Sequence, residues 1–299
     1  MTRAEQIATA LRGDDLYGAL RAASAGLSEA EAEGLLPQVL AVAESGVRAR
    51  LASVDAGLLR AVMRRGAGFA ATRGEAAVRA HLAGAEVAPM FRPAVGLSSR
   101  LAVLTGGQHP DMPAFSDRAF DAWFAARGVR YGLGPYGEVR SVYATDQFAD
   151  AASPERRTRH LGIDVFAPAG TEVFAPLAGR VAHVTYNADP LDYGHTLILE
   201  HEAGAARFWT LYGHLGASLP GLASVGDRVE ASQVVAHLGD WHENGGWAAH
   251  IHFQIMTDML AQTGGNFFGV GHESLWDVWS GICIDPNLVL RLPEGSFAL

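Results

Sequence analysis

The sequence of 299 residues has no lysine, a single cysteine and no long apolar run. Without lysine, no hairpin of the chain can carry biotin or a lipoyl group, which disfavours a carrier domain. The lone Cys283 excludes an internal disulfide and any CxxC motif. No run reaches the roughly 18 to 20 apolar residues of a membrane span, so we expect no spanning helix.

Positive charge is scarce in the C-terminal two thirds of the chain. Residues 101–299 contain 11 arginines against 22 acidic residues. Binding to nucleic acid depends on a basic surface, so we expect no nucleic-acid partner. Eleven of the 12 histidines also lie after residue 100, and any metal chemistry is expected there.

The start of the chain, MTRAEQIATALRGDDLYGAL, has the pattern of an amphipathic helix that includes acidic residues. It lacks the unbroken apolar core of a secretory signal. With 49% hydrophobic residues, the chain can form the core of one large domain or two ordinary ones. We therefore expect a soluble cytoplasmic protein.

The first third of the chain predicts helices. Residues 3–65 are rich in Ala, Leu, Glu and Arg with helical periodicity, which predicts a bundle of three to five helices. Ser28 followed by Glu31 has the pattern of a capping box. We expect a helical domain over 1–95 and a transition segment over 96–139, with one helix over 116–127 capped by Ser116.

Residues 140–299 have a different pattern, in which short β-branched or apolar runs alternate with glycine and proline. Many short strands at close spacing are typical of an antiparallel sheet or barrel. The predicted fold class is therefore α+β, with an N-terminal helical region followed by an antiparallel β-sheet or barrel-like domain over 140–299.

The stretch AHIHFQIM places two histidines on one probable strand. Because side chains alternate along a strand, His250, His252 and Gln254 share one face. The apolar residues between them form the opposite face, which is the expected core face. A single histidine in this position would more often be structural, but two in register also favour a metal ligand with a proton donor or acceptor beside it.

The stretch RHLGIDVF supplies His160 and Asp164, and both residue types bind zinc well. A long helix is improbable here because of Gly162 and the β-branched residues that follow it. In a bent extended segment, positions 160, 162 and 164 share a face, and Gly162 leaves room for an ion. The alternative is a surface turn with a solvated Asp164.

A third motif is FWTLYGHL, in which alternation puts His214 on the same side of a strand as Tyr212. His214 alone would be an ordinary strand-end residue. Together the three motifs bring five polar side chains onto strands that one sheet can align. His160, Asp164 and His252 would form a three-ligand zinc site with a fourth position open to water.

These motifs together resemble the lysostaphin/LytM type of zinc endopeptidase, whose signature is HxxxD followed by a late HxH. The resemblance covers residues 140–290 and includes HLGIDVFAPAGTEVFAPLAGRV, TLYGHL and SVGDRVEASQVVAHLGD. It implies a β domain of the duplicated hybrid motif type, zinc held by His160, Asp164 and His252, and catalytic roles for His214 and His250. Which of these two histidines acts on water and which stabilises the oxyanion is left open.

The chain also departs from the family pattern. The approach to HxH contains Trp247, either as a wall of the groove or as a buried structural residue. Gln254 stands where the family often has glutamate. His242 is a weaker candidate for substrate contact, and His109 or Asp111 could plug the site from the preceding segment. The NGGW and HFQ forms resemble a domain found in some cytoplasmic aminotransferase fusions.

The sequence thus predicts a zinc metalloendopeptidase that acts on peptides, with peptidoglycan-like or glycine-rich substrates implied by the resemblance. The resemblance alone would imply a periplasmic or extracellular location, whereas the start of the chain favours the cytoplasm. The alternative function is a non-catalytic zinc-binding or interaction module with a cytoplasmic partner. The sequence leaves the oligomeric state open.

Overall fold

The computed structural model describes residues 1–105, 109–143 and 145–297. Its N-terminal part is helical, as predicted, but it contains six short helices up to residue 66 rather than three to five. The helices of residues 1–95 are α1 (Arg3–Ala10), α2 (Leu16–Ala23), α3 (Glu29–Gly34), α4 (Leu36–Val42), α5 (Ser45–Ala52), α6 (Ala56–Gly66) and α7 (Glu75–Gly84).

Local capping signals explain why the helices are short. The predicted capping box of Ser28 and Glu31 opens α3, and Thr2 with Glu5 forms a second one at α1. Gly13 and Gly26 adopt positive φ in the turns after α1 and α2, a conformation that glycine reaches without steric cost. Each helix therefore stops within about three turns, and the count exceeds the one expected from periodicity alone.

The transition segment contributes a helix and two strands. Strands β1 (Arg100–Ala102) and β2 (Tyr131–Gly134) pair in parallel, and helix α8 (Ala119–Ala125) lies between them in sequence. The expected cap at Ser116 is wrong, because the helix begins three residues later after Arg118, which makes no side-chain capping bond. The segment therefore extends the sheet rather than merely connecting two parts.

The remaining strands form one main sheet and two small ones. They are β3 (Arg159–His160), β4 (Ile163–Phe166), β5 (Glu172–Phe174), β6 (Gly179–Asn187), β7 (Gly194–Ala203), β8 (Ala206–Leu215), β9 (Arg228–Val229), β10 (Val234–His237), β11 (His250–Met256), β12 (Val270–Gly271) and β13 (Cys283–Ile284). Helices α9 (Trp276–Ile282) and α10 (Asn287–Leu290) complete the chain.

The main sheet runs in the order β1-β2-β4-β11-β8-β7-β6-β9, with β13 added beside β11. Its pairs are antiparallel except for β1 with β2. The α+β class is therefore confirmed. Of the two expected forms, an antiparallel sheet or a barrel, the structure has the sheet: β1 and β9 lie at opposite ends and, within the residues that the structure describes, the sheet does not close.

Hydrophobic cores lie on both faces of this sheet. One face of β11, with Ile251, Phe253 and Ile255, packs into a core built mainly from strands. The other core joins the N-terminal helices to Ile198 and Leu211 of the sheet. The domain limits at 95 and 139 stay a prediction. None of the described helices has the length and hydropathy needed to cross a bilayer.

Candidate active site

Strand β11 organises the site because it pairs on both sides. His252 is opposite Asp164 of β4 and opposite Gly213 of β8. Partners in an antiparallel pair point to the same face, so the face of His252 also receives Asp164. His250 and His252 are both buried, while Ile251 between them lies in the core, in agreement with the predicted alternation.

The HxxxD stretch is a bent extended segment, as predicted. Strand β3 ends at His160 and pairs with β12, and β4 begins at Ile163 in the main sheet. The predicted role of Gly162 is wrong, however. A Cβ at this position would lie 2.6 Å from both Cε1 and Nε2 of His252, so the missing side chain makes room for that imidazole and not for an ion.

Three atoms that could bind a metal ion form a small triangle. His160 Nε2 lies 3.0 Å from His252 Nδ1, and each of these atoms lies 3.2 Å from Asp164 Oδ1. A tetrahedral zinc with ligands at about 2.0 to 2.1 Å requires ligand atoms roughly 3.3 Å apart. The triangle therefore has the dimensions that a zinc ion needs.

Hydrogen bonds on the far side of the two imidazoles, His160 and His252, determine which ring nitrogen carries the proton. His160 Nδ1 donates to the carbonyl oxygen of Pro135 at 2.9 Å, and His252 Nε2 donates to Oε1 of Gln254 at 2.9 Å. Each neutral imidazole therefore turns a lone pair towards the triangle. Asp164 Oδ1 accepts no hydrogen bond from any described residue. Three buried acceptors facing one another fit a cation between them.

A buried arginine holds the other oxygen of the aspartate. Arg140 Nη1 donates to Asp164 Oδ2 at 2.7 Å, and its Nε donates to Glu138 Oε2 at 2.8 Å. Desolvation alone would raise the pKa of Asp164, but the interactions with His160 and Arg140 outweigh it and hold the pKa well below its usual value. Burial, reinforced by Arg140, lowers the pKa of His160 to about 4. At neutral pH Asp164 is thus a carboxylate and His160 a neutral imidazole.

His214 reaches the site through an unusual backbone conformation. Gly213 pairs with His252, so these two positions share the HxH face of the sheet. By simple alternation the next residue, His214, would point to the other face. Instead His214 has a φ of 63°, in the left-handed region that few residues other than glycine adopt. This turns the imidazole towards the HxH face, so the predicted sharing of a face with Tyr212 is wrong.

His214 and His250 form a second pair beside the triangle, with ring centroids 4.3 Å apart. Their Nδ1 atoms donate to the carbonyl oxygens of Asn244 and Ala248, at 2.8 and 2.7 Å. Each therefore has an unprotonated Nε2, and that of His250 lies 4.0 Å from Asp164 Oδ1. Burial lowers the pKa of both imidazoles, so both are neutral acceptors at neutral pH.

The triangle and the histidine pair open onto a cavity of about 300 Å³. Trp247 forms part of its wall: the indole is buried, donates to the carbonyl oxygen of Asp192 and packs on Phe115. Both alternatives for Trp247 therefore hold. The cavity is also lined by side chains from three connecting segments, namely Tyr143, Gln147, Phe148, Arg157, Asp189, Tyr193, Gln262, Asn266 and Phe268.

Sequence reasoning missed several residues of the site. Arg140 lies 20 residues before His160 in a turn-rich stretch without a visible motif. The hydroxyl of Tyr193 lies 3.4 Å from His252 Nε2, and Asn244 supplies the carbonyl for His214. Asn244 lies in NGGW, whose glycines indicate a tight loop beside the HxH strand.

Three weaker candidates do not reach the cavity. His242 is exposed and lies 3.7 Å from Asp240. His109 bonds to the carbonyl oxygen of Ala102, and Asp111 pairs with Arg127. None of the three borders the cavity, so the plug from the preceding segment is not formed by His109 or Asp111.

All five polar residues of the triangle and the histidine pair lie within one stretch of about a third of the chain. Residues 158–263 match the model of peptidase family M23. The resemblance to lysostaphin/LytM-type peptidases is therefore confirmed for this stretch, and the M23 match supports a peptidase. No curated protein matches the chain.

Several solved structures are also similar to parts of the chain. A zinc-containing peptidase from Vibrio cholerae is 27% identical over 34% of this chain and 28% of its own, with a TM-score of 0.28. The catalytic domain of lysostaphin from Staphylococcus simulans is 22% identical over 57% of this chain and 96% of its own, with a TM-score of 0.35. A variant catalytic domain of the prophage-encoded M23 protein EnpA from Enterococcus faecalis is 22% identical over 45% and 84%, with a TM-score of 0.29. This chain spans less than a third of the Vibrio cholerae chain.

Proposed function

We propose that the protein is a zinc-dependent endopeptidase in which His160, Asp164 and His252 hold the metal. The observation that carries the proposal is the triangle of acceptor atoms, 3.0 to 3.2 Å apart, in which no imidazole donates to Asp164 Oδ1. Bare acceptors at this separation repel one another in a buried site unless a cation lies between them. When bound, zinc supplies a Lewis acid that makes water nucleophilic near neutral pH.

The protein's own residues then prepare the reacting groups. His214 and His250 each present an unprotonated Nε2 beside the triangle, so either can accept a hydrogen bond and then the proton from an attacking water. The imidazole that has gained the proton can stabilise negative charge on the scissile carbonyl oxygen. We assign the two roles to the pair and not to either member.

The cavity supports a peptide substrate. Its walls combine aromatic rings with amides and carboxylates, among them Trp247, Phe268, Asn266 and Gln262. Such a lining can pack against a backbone and bond its polar groups. We propose glycine-rich or peptidoglycan-like peptides as the substrate class, since the M23 match is to peptidases and the sequence resembles the lysostaphin type.

Two measurements test this function. Elemental analysis of the purified protein should find one zinc per chain, and His160→Ala should lose most of it; equal zinc in the two proteins would rule out the proposed ligands. Digestion of a peptide library and of purified peptidoglycan should then show cleavage by the native protein. His214→Ala should keep its zinc but lose about 10²- to 10⁴-fold in rate, the usual contribution of a general acid or base. Full activity in that variant would exclude its catalytic role.

A further inference from the structure

Gln254 accepts the hydrogen bond that leaves His252 Nδ1 bare, so the orientation of its own amide is decisive. It follows His252 by two residues on β11, shares its face and is fully buried. A buried primary amide has two donors and an acceptor to satisfy, so its partners fix its orientation. In Gln254 these partners lie on three different elements.

The amide nitrogen of Gln254 has a defined place. Nε2 donates to the carbonyl oxygen of Phe268 at 3.1 Å and lies 3.2 Å from Cys283 Sγ. A backbone carbonyl oxygen can only accept, so turning the amide over would set two oxygens against each other. The orientation of Gln254 is therefore dictated by Phe268, a residue on the loop before β12.

This orientation determines the state of His252. With Nε2 of Gln254 on Phe268, its Oε1 must face His252 Nε2, at 2.9 Å. An amide oxygen can only accept, so the proton of a neutral His252 is on Nε2 and its Nδ1 is bare. The hydroxyl of Tyr193, at 3.4 Å from the same Nε2, is a competing partner that would favour the opposite tautomer if it donated.

We propose that Gln254 is a positioning residue that fixes the tautomer of His252 and so directs the Nδ1 lone pair at the metal. The proposal rests on the proposed zinc site for its purpose, but the tautomer itself is a property of the metal-free chain. Partners behind a ligating histidine set its tautomer and ring orientation, and their loss usually lowers metal affinity about 10- to 100-fold.

The first experiment measures the tautomer directly. Long-range nitrogen–proton NMR on the metal-free protein, at about pH 8 where ordinary imidazoles are neutral, distinguishes protonated from bare ring nitrogens. His252 should carry its proton on Nε2. In Gln254→Met, which keeps the length but not the acceptor, the proton should shift towards Nδ1. A native His252 protonated on Nδ1, or an unchanged tautomer in Gln254→Met, would overturn the proposal.

The second experiment measures zinc binding by competition with a chelator. Gln254→Met should bind zinc about 10- to 100-fold more weakly. Gln254→Glu keeps an acceptor for His252 but sets an oxygen against the Phe268 carbonyl, so it should recover only part of that affinity. Thr210→Val is the matched control, since it removes a partner from His201 Nε2, a buried imidazole outside the site. Equal weakening in Gln254→Met and Thr210→Val would make the effect merely structural and reject the role of Gln254.

The outcomes keep the two proposals apart. If the native protein binds no zinc but His252 has the expected tautomer, the proposed function fails and the positioning by Gln254 stands. If zinc binds and the tautomer is reversed, Gln254 does not position His252. If Gln254→Met does not fold, the tautomer of His252 in the native protein and the zinc affinity of Gln254→Glu still test the role of Gln254.

Discussion

Arg140 and Asp164 form an ion pair from which solvent is excluded: Nη1 lies 2.7 Å from Oδ2, and each side chain is 1% exposed. The arginine occupies one oxygen of the carboxylate, and the other oxygen, Oδ1, faces the two imidazoles. The pair therefore orients the aspartate while it neutralises the charge that burial penalises.

Removing the arginine should leave the buried carboxylate of Asp164 and the half-buried carboxylate of Glu138 without their cation. Arg140→Met is expected to lower the free energy of unfolding of the metal-free protein by about 3 to 5 kcal/mol, the usual cost of breaking a buried ion pair. Added zinc should restore part of the loss, because it compensates the charge of Asp164. Urea unfolding with and without zinc measures both effects. Arg127→Met, at a more exposed ion pair, is the control, and an equal loss there would contradict the prediction.

Gly162 is expected to tolerate no side chain, because a Cβ there would meet the His252 ring at 2.6 Å and the carbonyl oxygen of Phe253 at 2.8 Å. Gly162→Ala should cost about 1 to 3 kcal/mol of stability through overpacking and should weaken zinc binding by displacing His252. Calorimetric unfolding and chelator competition test the two effects. Gly34→Ala is the control, since Gly34 ends helix α3 and has open space around its Cα. Normal zinc binding in Gly162→Ala would show that the ring can move without loss.

The helical region is expected to hold one wall of the cavity in place through Asp55. This residue caps helix α6 by accepting from Gly57 and Leu58, and it also accepts from Ala261 and from Nε2 of Gln262, at 2.7 Å. Asp55→Ser should keep the cap, since serine is a good cap residue, but lose the reach to Gln262. Hydrogen exchange should therefore accelerate over residues 259–263 and not over α6. Unchanged exchange at 259–263 would exclude this tether.

The burial of His201 should make the folded protein less stable in mild acid, independently of the candidate active site. Burial lowers its pKa to about 4, whereas an unfolded imidazole titrates near 6.5. Below about pH 6.5 the unfolded chain takes up a proton that the folded chain refuses, so the full stability is present above that pH and is lost as the pH falls towards 4. The loss should reach about 2 kcal/mol by pH 5.

Urea unfolding in the presence of a chelator measures this effect of His201 without interference from zinc. His201→Gln should show a shallower decline between about pH 6.5 and pH 5 than the native protein, because the other buried imidazoles contribute equally to both. Parallel declines in the two proteins would assign the acid sensitivity to other groups.

The sequence was sufficient for the parts of the site that follow strand periodicity and local chemistry. His250 and His252 share a face because they are two residues apart on β11. His160 and Asp164 lie on a bent extended segment, since Gly162 and the β-branched residues after it disfavour a helix. Five polar residues in the expected order were also enough to identify the resemblance to M23 peptidases.

The rest depended on tertiary structure. His214 leaves the strand alternation through a positive φ that no local residue pattern signals. Arg140 reaches Asp164 because β2, β4 and their connecting segment come together in space, and its own sequence neighbours give no sign of it. The open sheet could not be distinguished from a barrel, since closure depends on how the terminal strands meet and not on their composition.

The helices of the N-terminal part share one hydrophobic core with the face of the sheet that also carries the site, where Leu58 and Val62 lie in the same cluster as Ile198, Leu211 and Met256. The 158–263 segment alone would thus expose a hydrophobic surface that the N-terminal helices cover in the full chain. Mutational screens performed on such a fragment would report self-association before they reported chemistry, so a chain that keeps the N-terminal helices is the proper unit for engineering.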